Sequence, residues 1–324
     1  MNIPLSELHT HIIYVLFGYT LIFPLLMGVL KVFKIEDPLQ RLRLYLLAFL
    51  TPPAAFIIYH TVLIKRCQAG LPIFTTDGAF HFLCTISTGM LSAILPLGGI
   101  LLLVGTLKAG TAALMLRRLE SENPQVDDNS RNSITKMIQI QSSSLGIKPP
   151  RVVFSSKEGF AAFTTGLLKP VLVINKKLPG KLNEQELAVV ISHELIHISQ
   201  RDTLKSWFLH LVRDITFFNP ISNMLLNKYL AEKELLCDEK AANLIKVNHR
   251  DFAAVLLKIW RSLMDQQSTK LGLVSAFGGR GSMENRIEKM LLNTGTERKM
   301  PGLVTPLLGI IIFSTTLLAL GLVC

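Results

Sequence analysis

Four stretches of this chain run almost without polar residues: Ile12 to Leu30, Leu44 to Ile64, Phe82 to Leu107 and Leu303 to Val323. Each is close to the ~20 apolar residues that cover a bilayer's hydrocarbon core, so each predicts a membrane-spanning helix. The first lacks a basic leader and a small-residue cleavage site, and predicts a retained span, not a removed signal. The second is broken by Pro52-Pro53 and contains His60, a break tolerated where neighbouring helices meet the freed backbone groups.

Between the third and fourth stretches the pattern changes. Leu119 to Asn132 is polar and acidic, an expected exposed linker. Ile134 to Leu145 predicts a helix, and Arg151 to Ser155 and Pro170 to Asn175 predict strands around a turn at Gly166. Leu187, Val190, Ile191, Leu195 and Ile198 form an apolar stripe behind an Asn183/Glu186 capping box, a helix ending near Asp202 and Thr203. Leu204 to Phe218 is apolar enough for a fifth span, but Lys205, His210, Arg213 and Asp214 predict a buried or interfacial helix instead. Asn219-Pro220 opens a further helix that can run to about Leu244. Gly278 to Gly281 predicts a flexible turn before a helix capped by Ser282; it lacks the Lys-Ser/Thr of a phosphate loop.

Charge orients the membrane layout. Lys31, Lys34, Arg41 and Arg43 crowd the first connection, whereas the second, Lys65 to His81, holds only Lys65 and Arg66. The basic loop stays in the cytoplasm, which puts the N-terminus outside and the region after the third span inside. Three domains are therefore expected: residues 1–107 with three spans, a cytoplasmic domain at 108–300, and a last span at 301–324. With 49% hydrophobic residues the chain is more apolar than a soluble enzyme needs. The net charge of +11 gathers mainly at membrane borders and predicts attraction to anionic lipid; no nucleic-acid partner is expected. Cys67, Cys84, Cys237 and Cys324 have neither disulfide-framework nor zinc-ribbon spacing, and Cys237 is expected buried in a helix.

The chemistry centres on His193-Glu194-Leu195-Ile196-His197. On a helix the two histidines share one face and can reach a single zinc ion, with Glu194 beside the open coordination position. A carboxylate there can take the proton of a metal-activated water as it attacks a peptide carbonyl. Two histidines packed near a core would instead leave Glu194 among apolar residues with nothing to ionise against.

A catalytic zinc takes three protein ligands, and the third is sought on a separate helix. Glu234 and Asp238 lie one turn apart there, so Glu234 can ligate while Asp238 accepts the other ring N–H of a ligating histidine. The plainer alternative is an exposed acidic face paired with Lys233 or Lys240. Their place one helix after the histidine motif tips the reading toward metal.

His193 to His197, Arg201-Asp202, Phe218-Asn219-Pro220 and Glu234-Leu-Leu-Cys237-Asp238 together resemble the gluzincin domain of BlaR/MecR-type membrane metallopeptidases. The likeness runs closely from Pro150 through Leu291 and, in the three-plus-one span layout, more loosely to both ends. It is more distantly similar to HtpX and Ste-type CAAX proteases. The resemblance implies a zincin-like α+β catalytic domain, mainly helical with a small sheet, carried by a four-span membrane protein. It implies His193, His197 and Glu234 as ligands of one zinc per chain, Glu194 as the catalytic carboxylate, and a bacterial inner membrane location.

Arg286 resembles an arginine near the active site of related proteases, expected to stabilise the oxyanion or to brace Glu234 or Asp238; surface solvation is the alternative. An edge strand near the metal binds extended substrates by main-chain hydrogen bonds, which makes Val171 to Asn175 the candidate rail. Ser133-Ile-Thr-Lys136 matches a penicillin-binding motif without its companions and is read as coincidence. The expected function is a zinc metalloendopeptidase acting on protein or peptide substrates in the cytoplasm, a transcriptional repressor among them. Housekeeping proteolysis of the HtpX kind and a catalytically silent receptor are the alternatives; a binding module has no need of Glu194. No extracellular sensor is expected beyond the last span. Self-association is a further expectation, because a neighbouring copy could cut the Leu119–Asn132 linker or the Gly278–Gly281 turn.

Overall fold

The computed structural model describes residues 4–58, 126–157, 159–167, 169–267, 279–292 and 304–322, with single helical positions between 99 and 117. In chain order these residues form α1 (Pro4–Val32), α2 (Pro38–Ile58), α3 (Asp128–Ser144), β1 (Arg151–Ser155), β2 (Ala162–Thr165), β3 (Val171–Asn175), α4 (Glu184–Ser199), α5 (Asp202–Ile215), α6 (Pro220–Ile245), α7 (His249–Gln267), α8 (Gly279–Leu292) and α9 (Val304–Leu322). The chain is thus mainly helical with one small mixed sheet, and divides into two compact units.

One unit comprises Met1–Leu107, Leu209–Glu232 and Arg298–Cys324. Its core joins Val15, Tyr19, Ile22 and Leu26 of α1, Leu44, Tyr45 and Phe49 of α2, Leu225, Leu226 and Tyr229 of α6, and Leu308 and Ile312 of α9. Pro53 cannot donate to the carbonyl of Phe49, four residues earlier, and the Tyr19 hydroxyl donates to that oxygen instead at 2.7 Å. The helices meet closely at Gly18, where a Cβ would stand 2.8 Å from the Pro52 Cβ. Among the described residues one helix is long and apolar enough to cross a membrane, over Val15–Val32. A shorter apolar run, Pro306–Thr315, lies in the expected last span. The expected second span is helical to Ile58, and its remainder, with nearly all of the third, lies outside the described residues.

The other unit comprises Lys108–Phe208 and Lys233–Glu297. Its sheet has the order β1-β3-β2, with β1 parallel and β2 antiparallel to β3. Val171–Asn175 is therefore the central strand, buried throughout and paired on both sides, and cannot be the expected substrate rail. The edges are β1 and β2, and β2 is a strand that the sequence pattern did not reveal: Ala-Phe-Thr-Thr is too short to show an alternation. Gly166, at φ 91°, turns β2 into β3.

The α4 helix packs on this sheet through Leu187, Val190, Ile191, Leu195 and Ile198. Its capping box is formed: Asn183 Oδ1 accepts from the Glu186 N–H at 2.8 Å, and Glu186 Oε2 accepts from the Asn183 N–H at 2.9 Å. Two boundaries differ from expectation. The helix expected from Ile134 begins at Asp128, because Asp127 caps it by accepting from the Ser130 N–H; the end of the expected linker is thus helical, and its residues 119–125 lie outside the described residues. The last helix of this unit begins at Gly279, so position 282 lies inside it and does not cap it. First-turn positions have no intrahelical partner for their N–H groups and admit glycine readily.

Candidate metal centre

Four elements bring the site together: α4 supplies His193, Glu194 and His197; α6 supplies Glu234, Cys237 and Asp238; β2 supplies Thr164; α8 supplies Arg286. His193 Nε2 and His197 Nε2 face each other at 3.0 Å. Glu234 lies across both, Oε2 3.5 Å from His193 Nε2 and Oε1 3.7 Å from His197 Nε2.

The outer ring nitrogens are each held by a buried aspartate. His193 Nδ1 lies 2.9 Å from Asp238 Oδ1, and His197 Nδ1 lies 2.8 Å from Asp202 Oδ2. Asp202 was expected at the end of α4 and as part of the Arg201-Asp202 pair of the family resemblance, without a role in the site. It reaches His197 because Arg201 takes a left-handed conformation, φ 54°, that folds the chain back after the helix. The signals for Asp202 in the sequence were its spacing of five from His197 and its place in the Arg201-Asp202 pair of the family resemblance; neither gave it a role.

Arg286 is buried and does not meet solvent. Its Nε donates to Asp238 Oδ2 at 2.7 Å and a terminal nitrogen to Asp238 Oδ1 at 2.6 Å, while the other lies 3.4 Å from Glu234 Oε2. This is the bracing arrangement. Glu194 is also buried, and its Oε2 accepts from the Thr164 hydroxyl at 2.9 Å. Thr164 was not foreseen, since its strand was not.

The electrostatics follow from this arrangement. Burial disfavours charge on His193, but hydrogen bonds to Asp238 and Glu234 overcome it and push its pKa up to about 9. Burial likewise opposes ionisation of Glu234, yet His193, His197 and Arg286 hold it well below the usual carboxylate range. Asp238 is lowered in the same way, against burial, chiefly by Arg286 and then by His193.

These residues fit a metal ion. With both Nδ1 atoms committed to carboxylates, the two Nε2 atoms point at one another, an arrangement that needs either a proton on one of them or a metal cation between them. Tetrahedral ligands about 2.05 Å from zinc stand roughly 3.3 Å apart, in the range of the His193, His197 and Glu234 separations. A second group, His197, Asp202 and Cys237, is also close enough for an ion. Its chemistry fits less well: burial, and then Asp202 and Glu234, push the Cys237 thiol well up, so it stays protonated. Cys237 Sγ packs 3.5 Å from His197 Nδ1, on the side of the ring away from Glu234's partner atom.

Comparison with known proteins bears on the same residues. The sequence profile of the family described as BlaR1 peptidase M56 matches residues 83–290. The chain is 28% identical over 115 residues to the Regulatory protein BlaR1 of Bacillus licheniformis, covering 35% of this chain and 19% of that protein. It is 44% identical over 64 residues to a Protease HtpX homolog of Acidiphilium cryptum (strain JF-5), covering 19% of this chain and 22% of that protein. The aligned parts thus span about a fifth of the length of these curated relatives.

Proposed function

This chain belongs to the BlaR1 peptidase M56 family, and on that premise we propose that it is an integral membrane zinc metalloendopeptidase. The observation that carries the reading is the convergence of His193 Nε2, His197 Nε2 and the Glu234 carboxylate, each histidine backed by an aspartate and Glu194 alongside. His193, His197 and Glu234 hold the zinc, which when bound supplies a Lewis acid and a water of lowered pKa. Asp238 and Asp202 keep the proton of each imidazole on Nδ1 and leave Nε2 free to ligate. Arg286 holds Asp238 and Glu234 in place and balances their charge.

Glu194 acts as the general base. Thr164 engages its Oε2, which leaves Oε1 to take a proton from the attacking water and return it to the leaving amide nitrogen. The substrate lies extended along β2, whose outer edge is unpaired among the described residues and whose Thr164 reaches Glu194. The active face is cytoplasmic, by the excess of basic residues in the first connection, and a repressor protein is one substrate open to it. The identity with a Protease HtpX homolog favours a second reading, turnover of membrane proteins.

The test is Glu194→Ala. A base that is not a ligand predicts loss of peptide hydrolysis with about one zinc per chain retained. Zinc lost along with activity would overturn the assignment, as would a Glu234→Ala variant that binds zinc normally.

A further inference from the structure

We infer that Leu209–Glu232 is a re-entrant helical hairpin that dips into the bilayer and returns to the side it entered. The inference rests on the membrane-spanning part of the proposed function and not on its chemistry. The segment joins α1, α2 and α9 in one compact unit, although it is remote from them in sequence.

Its depth can be read from α1. At the base, Glu232 Oε1 lies 2.9 Å from Arg41 Nε, just before the apolar run of α2 and beside the border marked by Lys31 and Lys34. At the tip, the Asn219 side-chain amide donates to the Val15 carbonyl at 3.3 Å, and Thr216 shares a side-chain hydrogen bond with Tyr19. Val15 begins the apolar window Val15–Val32, at the end opposite Lys31. From Asn219 to Glu232 the helix rises roughly 20 Å at ~1.5 Å per residue. That is about two thirds of a ~30 Å hydrocarbon core, too short to cross and long enough to pass the midplane.

A turn at that depth must satisfy its own polar groups, because hydrocarbon offers no partners. This one does. The Asn219 N–H donates to the Thr216 carbonyl at 3.0 Å, Asn219 Oδ1 accepts from the Ile221 N–H at 2.9 Å, and the Ser222 hydroxyl donates to the Asn219 carbonyl at 2.8 Å. Charges that spoil the segment as an ordinary span are matched in the fold: Arg213 pairs with Asp214, Lys228 stands over the Tyr45 ring and Glu232 meets Arg41. The inner face, Leu209, Leu225, Leu226 and Tyr229, is buried against α1 and α2.

The outer face is open, with exposed apolar side chains interrupted on α6 by exposed Asn223 and Asn227. Leu211, Ile215 and Met224 are 40%, 54% and 45% exposed, as are the outward Leu21 and Leu25 of α1 at 43% and 38%. A shared exposure on helices of one unit points to a shared solvent, the lipid chains.

Single-tryptophan variants of the full chain test this in lipid vesicles. Leu21→Trp, Ile215→Trp and Met224→Trp are each placed in a Trp207→Phe/Trp260→Phe background. Lipids brominated near the headgroup or near the chain ends then quench by depth. The inference expects Ile215→Trp to be quenched more strongly by deep than by shallow bromines and sheltered from acrylamide, with Met224→Trp also quenched by lipid. Quenching of Leu21→Trp but of neither hairpin variant would refute the hairpin and leave α1 as a span, with a second copy or water covering the face. Quenching of Ile215→Trp only by shallow bromines would make the segment a surface helix and refute the dip. An unquenched Leu21→Trp would remove the membrane reading and the hairpin together. Zinc content, measured apart, decides the catalytic reading alone.

Discussion

Replacing Arg286 by alanine strips the buried Asp238 of both guanidinium hydrogen bonds, at 2.7 and 2.6 Å. Asp238 has no exposed surface, so the charge left behind stays cut off from bulk solvent. Breaking one side of such a buried pair costs roughly 3–5 kcal/mol, because an uncompensated charge remains. Against a total stability of about 5–15 kcal/mol, that is a large loss. Two effects follow at the metal. The strongest influence holding the Asp238 pKa down is gone, so it rises and the carboxylate becomes a poorer acceptor for His193. Glu234 also loses its 3.4 Å neighbour. Zinc affinity is expected to fall about 10–100-fold, as for loss of a partner that orients a ligand.

The assay has two arms, both on purified full-length protein in detergent. Urea unfolding with a chelator present reports the pair without the metal, and zinc competition reports the site. Arg286→Lys keeps the charge but not the two-pronged contact and should fall between. The double variant Asp238→Leu/Arg286→Met should recover much of the unfolding free energy, since no charge is stranded, while zinc affinity stays low. If Arg286→Ala loses under about 1 kcal/mol and binds zinc as the parent does, the bracing argument is wrong.

Three further outcomes are expected. Asp202→Asn, which offers His197 an amide in place of a charge, should weaken zinc binding about 10–100-fold; unchanged affinity in a chelator competition would make Asp202 merely a helix-start residue. Thr164→Val removes a hydrogen bond to a charged group, about 1.5–3 kcal/mol, so kcat should drop about ten- to a hundredfold with zinc content unchanged, and a fall in zinc instead of kcat would contradict the assignment. In the metal-free chain His193 keeps its proton up to about pH 9, above its ordinary 6.5, so proton and metal compete there. Zinc affinity should rise about tenfold per pH unit from near neutrality and level off above about 9, whereas the proton's stabilisation of the metal-free fold is complete below 6.5 and lost as pH rises through 9. Calorimetry showing no proton release near pH 8 would contradict this.

Much of the site was legible along the chain because helices write their geometry into local spacing. The capping box at Asn183 and the stripe from Leu187 to Ile198 locate α4, and a spacing of four puts His193 and His197 on one face. The Glu234/Asp238 pair, one turn apart on the next long helix, was visible for the same reason.

The remainder depended on contacts that no local period encodes. The short β2 strand acquires its identity only by pairing with β3, so neither Thr164 nor the free sheet edge could be read beforehand, and β3 was mistaken for that edge. Arg286 was a candidate without a geometry until α8 packed it, 48 residues away in sequence, onto Asp238. Asp202 joined His197 through one left-handed residue, a backbone state that arginine does not announce. Leu204 to Phe218, too charged for a span by composition, is helical to Ile215, and only packing shows that Leu209 is buried with residues of α1 and α2. Sequence by itself thus determined the helices of the metal site, α4 and α6, and which of their side chains share a face, since those follow from neighbours within a turn or two, while α7 went unread. Tertiary structure alone decided which charges neutralise one another, which strand is the edge and which groups orient the ligands, because these energies arise between segments brought together by folding.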